Sequence, residues 1–217
     1  MKPIREQLRI TEIFHSLQGE SVSVGLPTVF IRLTGCPLRC QYCDTAYAFK
    51  GGTLMTIDSI LEQVLSYECH HVCVTGGEPL AQPACSLLLE ELCRLGLFVS
   101  LETSGALNVS SVDKRVMIVM DLKTPGSLEQ EKNMLSNINH LKKTDQIKFV
   151  LCHRDDYLWA CQMLQDHHLT KRTQVLFSPS FGQLNPTLLA NWIIQDRLDV
   201  RFQLQLHKIL WNDLRGH

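Results

Sequence analysis

No run of apolar residues in this 217-residue chain approaches the length needed to span a bilayer, which excludes a helical membrane protein. Charge of one sign is not in excess either. With 21 Lys and Arg against 22 Asp and Glu the formal net charge is −1, so no basic field argues for a nucleic-acid partner. The opening MKPIREQLRI has no apolar core, so it is not a secretory signal, and the expected compartment is the cytoplasm. Internal repeats, low-complexity stretches and convincing linkers are missing too. A composition 45% hydrophobic and 20% charged then implies one globular domain over residues 1–217.

What the chain has in quantity is cysteine, and the count of nine is odd. In a reducing compartment such a count argues against a disulfide framework and towards metal binding plus buried thiols. Cys69, Cys73, Cys85, Cys93, Cys152 and Cys161 all fall within apolar patterns and read as small core residues. The other three stand together in GCPLRCQYCDT (35–45), where Cys36, Cys40 and Cys43 follow a C-x3-C-x2-C spacing. A structural zinc site wants four ligands and a disulfide wants two. Three thiolates on a short loop suit a centre that keeps one coordination position open, such as a cubane [4Fe–4S] cluster with one uncapped iron. The spacing alone leaves open a zinc site or an ordinary electron-transfer cluster.

Apolar runs alternate with helical patterns through most of the chain. Strands are expected at 27–33, 71–76, 97–103, 116–122, 147–151, 173–179 and 201–207. Helices are expected at about 56–67, capped by Thr56, and at 80–95, 127–141, 155–168 and 186–196. Repeated strand–helix units with near-continuous apolar strands predict an α/β fold, with a parallel sheet covered by helices. Too few strands are present to close an eight-stranded barrel. The expectation is an open, partial TIM-like barrel of about six parallel strands. In such a fold ligands bind at the carboxyl ends of the strands. The cysteine loop, TGGEP (75–79), LETSG (101–105), DLKTPGS (121–127), FSPSF (177–181) and QLHK (205–208) each follow a predicted strand, so all should line one rim.

The cysteine triplet after a strand, with Tyr42 just before the third thiol, resembles the signature of the radical S-adenosylmethionine (radical SAM) superfamily. That resemblance implies S-adenosylmethionine held by the open iron and cleaved to a 5′-deoxyadenosyl radical that abstracts hydrogen from substrate. TGGEP would hold the methionine amino group, its glycines permitting close approach and Glu78 accepting from the ammonium. Glu102, Ser104, Asp121, Leu122 and Lys123 would flank the cofactor.

A narrower resemblance covers residues 10–208. FHSLQGE (14–20), FIRLTGC (30–36), CDT (43–45) and QLHK together resemble the 7-carboxy-7-deazaguanine synthase family. The resemblance implies conversion of 6-carboxy-5,6,7,8-tetrahydropterin to 7-carboxy-7-deazaguanine with loss of ammonia, in queuosine and 7-deazapurine biosynthesis. It also implies a homodimer, Mg2+, and an external electron donor such as flavodoxin or ferredoxin. Leu17, Gln18, Gly19, Arg32 and Thr75 would meet the pterin, with Arg32 on its carboxylate. Tyr42, Cys43, Asp44 and Gly77 would meet the cofactor, and Thr45 would offer its hydroxyl to Mg2+. Arg32 has the alternative of pairing with an internal carboxylate. His207 and Lys208 read either as a substrate wall or as the end of an edge strand. Ser21 stands where many members carry glycine, and Ser178 and Pro179 replace a different strand-end pattern. A glycyl-radical-enzyme activase and a non-catalytic iron–sulfur or zinc module are the competing readings.

Overall fold

The computed structural model describes residues 4–212 and 214–216. Among these, nine strands form one sheet: β1 (Gln7–Leu17), β2 (Pro27–Leu33), β3 (Thr53–Thr56), β4 (His71–Gly76), β5 (Phe98–Thr103), β6 (Met117–Asp121), β7 (Gln146–Leu151), β8 (Gln174–Pro179) and β9 (Arg201–Phe202). The order is β3-β1-β2-β4-β5-β6-β7-β8-β9. β1 pairs antiparallel with both β2 and β3, and every pairing from β2 to β9 is parallel. The helices are α1 (Ile57–Leu65), α2 (Cys85–Arg94), α3 (Arg154–Asp166), α4 (Leu169–Arg172), α5 (Pro186–Gln195) and α6 (Leu206–Trp211).

The core forms where the apolar patterns predict it. α1 starts at Thr56, whose hydroxyl accepts from Ser59 N at 3.2 Å. It buries Ile57, Ile60, Leu61 and Val64 along one face. α2 does the same with Cys85, Leu88, Leu89, Leu92 and Cys93, so two of the spare thiols are core residues as expected. Each such aliphatic side chain contributes about 1.5–3 kcal/mol on burial. All nine cysteines are free.

Three sequence expectations fail. The antiparallel strands β1 and β3 were not foreseen. The helix expected over 127–141 is instead three short 3-10 turns, Pro125–Ser127, Gln130–Lys132 and Leu135–His140. Asn133 and Asn137 account for the difference, because their side-chain amides tie this segment to backbone groups of the preceding loops rather than to a helix of its own. Asn133 bonds Lys123 N and O, and Asn137 bonds Val109 N and the carbonyls of Gly105 and Leu107. Finally, 201–207 is a two-residue strand followed by α6, so His207 and Lys208 stand on a helix rather than at a strand end.

β3 and β9 are the sheet's two edges, yet the loop after β1, the strand next to β3, meets the segment after β9. Ser21, just past β1, donates its N–H to Gln203 Oε1 at 2.8 Å and accepts from Gln203 Nε2 at 2.7 Å. Leu206 N donates to Gly19 O at 3.0 Å. The sheet therefore curls into an incomplete barrel, and the loop of residues 18–26 bridges the gap that no strand fills.

Candidate active site

The strand ends enclose a cavity of about 420 Å³. Cys36, Cys40 and Cys43 all line it from the loop after β2. That loop is pinned on both sides. Gly35 N donates to Ala48 O at 2.8 Å, Gln41 N donates to Ser127 O at 3.2 Å, and the Gln41 and Gln183 amides exchange two 3.0 Å bonds. Arg39 donates to the carbonyls of Cys36 and Leu38 while its guanidinium sits 4.3 Å over the Phe49 ring. Burial raises the Cys36 thiol and pushes Cys40 up to about 11. Among the described residues, no three His, Cys, Asp or Glu side chains converge on the spacing of one metal ion. A cubane gives each thiolate its own iron, so a set of three spread thiols around one cavity fits it.

The TGGEP turn belongs to the same wall but not in the way its sequence suggests. Gly76 adopts φ +151°, and a Cβ there would overlap the backbone of Leu33. A Cβ on Gly77 would overlap Gly35 O. Gly77 N and Glu78 N donate to Leu33 O and Gly35 O at 3.1 and 2.8 Å. These glycines are required by the lock between two strand ends. Gly76 and Gly77 line the cavity, whereas Glu78 is fully buried outside it. Its carboxylate accepts from Thr103 Oγ1 at 2.9 Å, Ser104 N at 2.7 Å, Ser104 Oγ and Leu80 N at 3.1 Å. Its lone pairs are taken by the protein's own donors, and the carboxylate stands outside the cavity lining in which the ammonium contact was expected. Leu122 likewise lies in the core, outside the cavity.

Glu102, Ser104, Asp121, Lys123, Tyr42 and Asp44 do line the cavity. Lys123 Nζ lies 2.9 Å from Asp121 Oδ2 and 5.7 Å from the Tyr42 ring centroid. The Tyr42 hydroxyl and Asp121 Oδ1 are buried with no hydrogen-bond partner among the described residues. Such groups fit a polar ligand, because a buried polar atom left unpaired is costly. Thr45 also faces the cavity. Its hydroxyl caps nothing in the turn that follows and lies 3.8 Å from Cys43 Sγ.

Leu17, Gln18, Gly19, Arg32 and Thr75 line the same cavity. Arg32 Nε donates to Glu12 Oε1 at 2.7 Å, and Tyr47 OH donates to the same oxygen at 2.8 Å. The guanidinium lies 5.8 and 6.0 Å from the Phe14 and Tyr47 ring centroids. Arg32 thus has the internal carboxylate, yet its two terminal nitrogens keep no hydrogen bond among the described residues. Thr75 Oγ1 donates to Glu102 Oε2 at 3.2 Å. Gly19 must be glycine because a Cβ would overlap the His207 ring. Ser21 keeps a glycine-like backbone at φ +66°, held there by the paired Gln203 bonds. The serine therefore leaves this turn in a left-handed conformation. His207 and Lys208 line the cavity from α6, and Lys208 Nζ is 3.6 Å from Asp44 Oδ2. Ser178 and Pro179 do not line it, and the neighbouring Ser180 and Phe181 do.

Sequence reasoning missed three charged residues that line the cavity, Arg215 and the close ion pair of Glu20 and Lys148. Burial alone would raise the Glu20 carboxyl, but the Lys148 ammonium brings it down to about 2. Burial likewise works against the Lys148 charge, and Glu20, Asp121 and Glu102 hold it well above the ordinary lysine value. Glu102 goes the other way, raised by burial that Lys148 offsets only in part. The available signals were a lysine inside the apolar run IKFVL and the glutamate closing SLQGE.

The sequence pattern of the Radical SAM superfamily matches residues 30–125. The chain is 47% identical over 213 residues to a 7-carboxy-7-deazaguanine synthase of Chlorobaculum tepidum, covering 96% of this chain and 97% of that protein. It is 40% identical to the one from Koribacter versatilis, over 94% of this chain and 97% of that protein. The crystal structure of QueE from Escherichia coli shares the fold at a TM-score of 0.74 and 23% identity, over 93% of this chain and 95% of that one. With 47% identity running almost end to end, the chain belongs to the 7-carboxy-7-deazaguanine synthase family of radical SAM enzymes.

Proposed function

We infer that the protein converts 6-carboxy-5,6,7,8-tetrahydropterin to 7-carboxy-7-deazaguanine with release of ammonia, in queuosine and 7-deazapurine biosynthesis. The observation that carries this reading is that the three loop thiols and the Arg32 guanidinium line one cavity. A metal centre and a carboxylate receptor then face the same space. The activase and the non-catalytic module fall with the family assignment.

A [4Fe–4S] cluster on Cys36, Cys40 and Cys43, with bound S-adenosylmethionine, supplies the one-electron chemistry that starts the reaction. The chain's own residues bind and orient. Arg32 offers its two terminal nitrogens to the pterin carboxylate, with its Nε already fixed by Glu12. Leu17, Gln18, Gly19 and Thr75 shape the pterin subsite. Tyr42, Asp44, Gly77, Glu102, Ser104, Asp121 and Lys123 form the cofactor subsite. Thr45 is the Mg2+ ligand in this reading, and one hydroxyl is a weak hold, so substrate oxygens and water complete the shell. The chain works as one domain in the cytoplasm, as a homodimer, and takes electrons from flavodoxin or ferredoxin. No helix among the described residues is long and apolar enough to cross a membrane.

Anaerobic reconstitution followed by turnover with the carboxytetrahydropterin tests the reading. About four irons per chain and formation of the deazaguanine are expected, and Cys40→Ala should lose both. Arg32→Lys should keep cofactor cleavage without substrate while weakening pterin binding about tenfold or more, because the paired donors are gone. Equal loss of both makes Arg32 a folding residue. Thr45→Val should remove most of the rate gain from added Mg2+ at unchanged iron content. A parent-like response places the ion elsewhere.

A further inference from the structure

All six residues of β7 are buried, and the strand is apolar apart from Gln146 and Lys148. Side chains alternate along a strand, so Gln146, Lys148 and Val150 share one face. Lys148 and Val150 line the cavity. A lysine that merely balanced a buried charge would need one carboxylate and no ligand space. Lys148 instead reaches two carboxylates, and both line the cavity with it. Its Nζ pairs with Glu20 Oε2 and lies 3.7 Å from Asp121 Oδ2, in register with Asp121 on the neighbouring β6. Glu20 is further held by Gln205 Nε2, which donates to its Oε1 at 2.7 Å, and it directly follows Leu17, Gln18 and Gly19. Asp121 also pairs with Lys123, 2.9 Å away, among the residues read as the cofactor subsite.

An ammonium carries three N–H donors. The structure gives Lys148 Nζ one hydrogen bond, to Glu20, so two donors keep no such partner among the described residues. Beside them Asp121 keeps one oxygen unpartnered. We propose that Lys148 is a positioning residue that ties the pterin subsite to the cofactor subsite, holding Glu20 beside one ligand and Asp121 beside the other. Through that tie, binding of either ligand orders the carboxylate that serves the other, and the reacting hydrogen is set at a fixed distance from the cofactor. The proposal rests on the pterin and S-adenosylmethionine reading of this cavity.

The test is anaerobic titration calorimetry of the cluster-loaded protein, measuring pterin affinity with and without S-adenosylmethionine. A parent that binds no pterin overturns the functional reading and the tie together. A parent that binds pterin with no mutual effect of the two ligands overturns the tie alone. In the parent each ligand is expected to tighten the other by about tenfold. Lys148→Met combined with Glu20→Gln removes both charges and leaves neither without its partner. That pair should bring the mutual effect to about one, and raise cofactor cleaved per product formed several-fold. Lys148→Arg keeps the charge but moves its centre, and should fall between. If the double variant fails to load its cluster, Lys148→Arg decides. Reduced coupling there supports the tie, and parent-like coupling with a parent-like cleavage ratio overturns it.

Discussion

Glu20 and Glu78 each follow a glycine just past the end of a strand, and both are buried. The sequence singles out Glu78, because TGGEP looks like a ligand-binding turn, and it passes over Glu20. The structure reverses their standing. Glu78 is surrounded by neutral donors from the end of β5 and from its own turn, so its charge is spent inside the protein. Glu20 meets a cation and an amide, and it borders the cavity. A buried carboxylate saturated by hydrogen bonds is an anchor. One held by a lysine and an amide at the edge of a cavity still borders ligand space.

The largest expected effect breaks the anchor. Glu78→Ala orphans the donors of Thr103, Ser104 and Leu80 and should destabilise the fold by about 3–5 kcal/mol. Denaturant unfolding measures this. The fraction that still folds should bind pterin within about twofold of the parent. A loss of affinity with unchanged stability would return Glu78 to the binding site.

Acid unfolding sharpens the contrast at Glu20. Its carboxyl falls from 4.5 to about 2 in the fold. A lowered acid contributes stability that is fully present above 4.5 and is lost as pH falls towards 2, about 3 kcal/mol here. Glu102 titrates in the opposite sense, its raised carboxyl favouring the fold at low pH. The difference between parent and Glu20→Gln in urea unfolding of the cluster-free chain therefore carries the result. The parent should lose about 3 kcal/mol more than the variant across that window. Parallel curves would mean the Lys148 pair adds nothing to the fold.

The smallest effect is expected at Ser21. Its left-handed backbone favours glycine, while glycine also loosens the unfolded chain. Ser21→Gly should change stability by about 0.5 kcal/mol or less and leave turnover unchanged. A drop in pterin affinity would show that the serine hydroxyl, which accepts from Ser23 N at 3.1 Å, shapes the subsite above it.

How much was legible follows from where the information sits. Strands such as β2 and β4 are continuous apolar runs, and local pattern is enough to place them. The cysteine loop carries its chemistry in its spacing, and all three thiols line the cavity. RFQLQLH looked like a strand because its apolar residues alternate. Gln203 and Gln205, however, spend their amides on Ser21 and Glu20, far away in sequence, and the chain turns into α6. Lys148 is visible as a lysine in an apolar run, but its partners were illegible for the same reason, since nothing near it in sequence announces Glu20 or Asp121. Local patterns are visible in one stretch, and pairings across the barrel are not.

Those pairings also set an order of events. Glu20 meets Lys148 across 128 residues and Gln205 across 185, Ser21 meets Gln203 across 182, and Gln41 meets Gln183 across 142. On a ribosome the N-terminal strands and the three thiols emerge long before the residues that enclose them. Contacts so distant in sequence form late, after most loop-closure entropy has already been lost. The nascent chain thus passes through a stage with its cysteine loop uncovered, and delivery of iron and sulfide has its widest access before the C-terminal helix closes over the site.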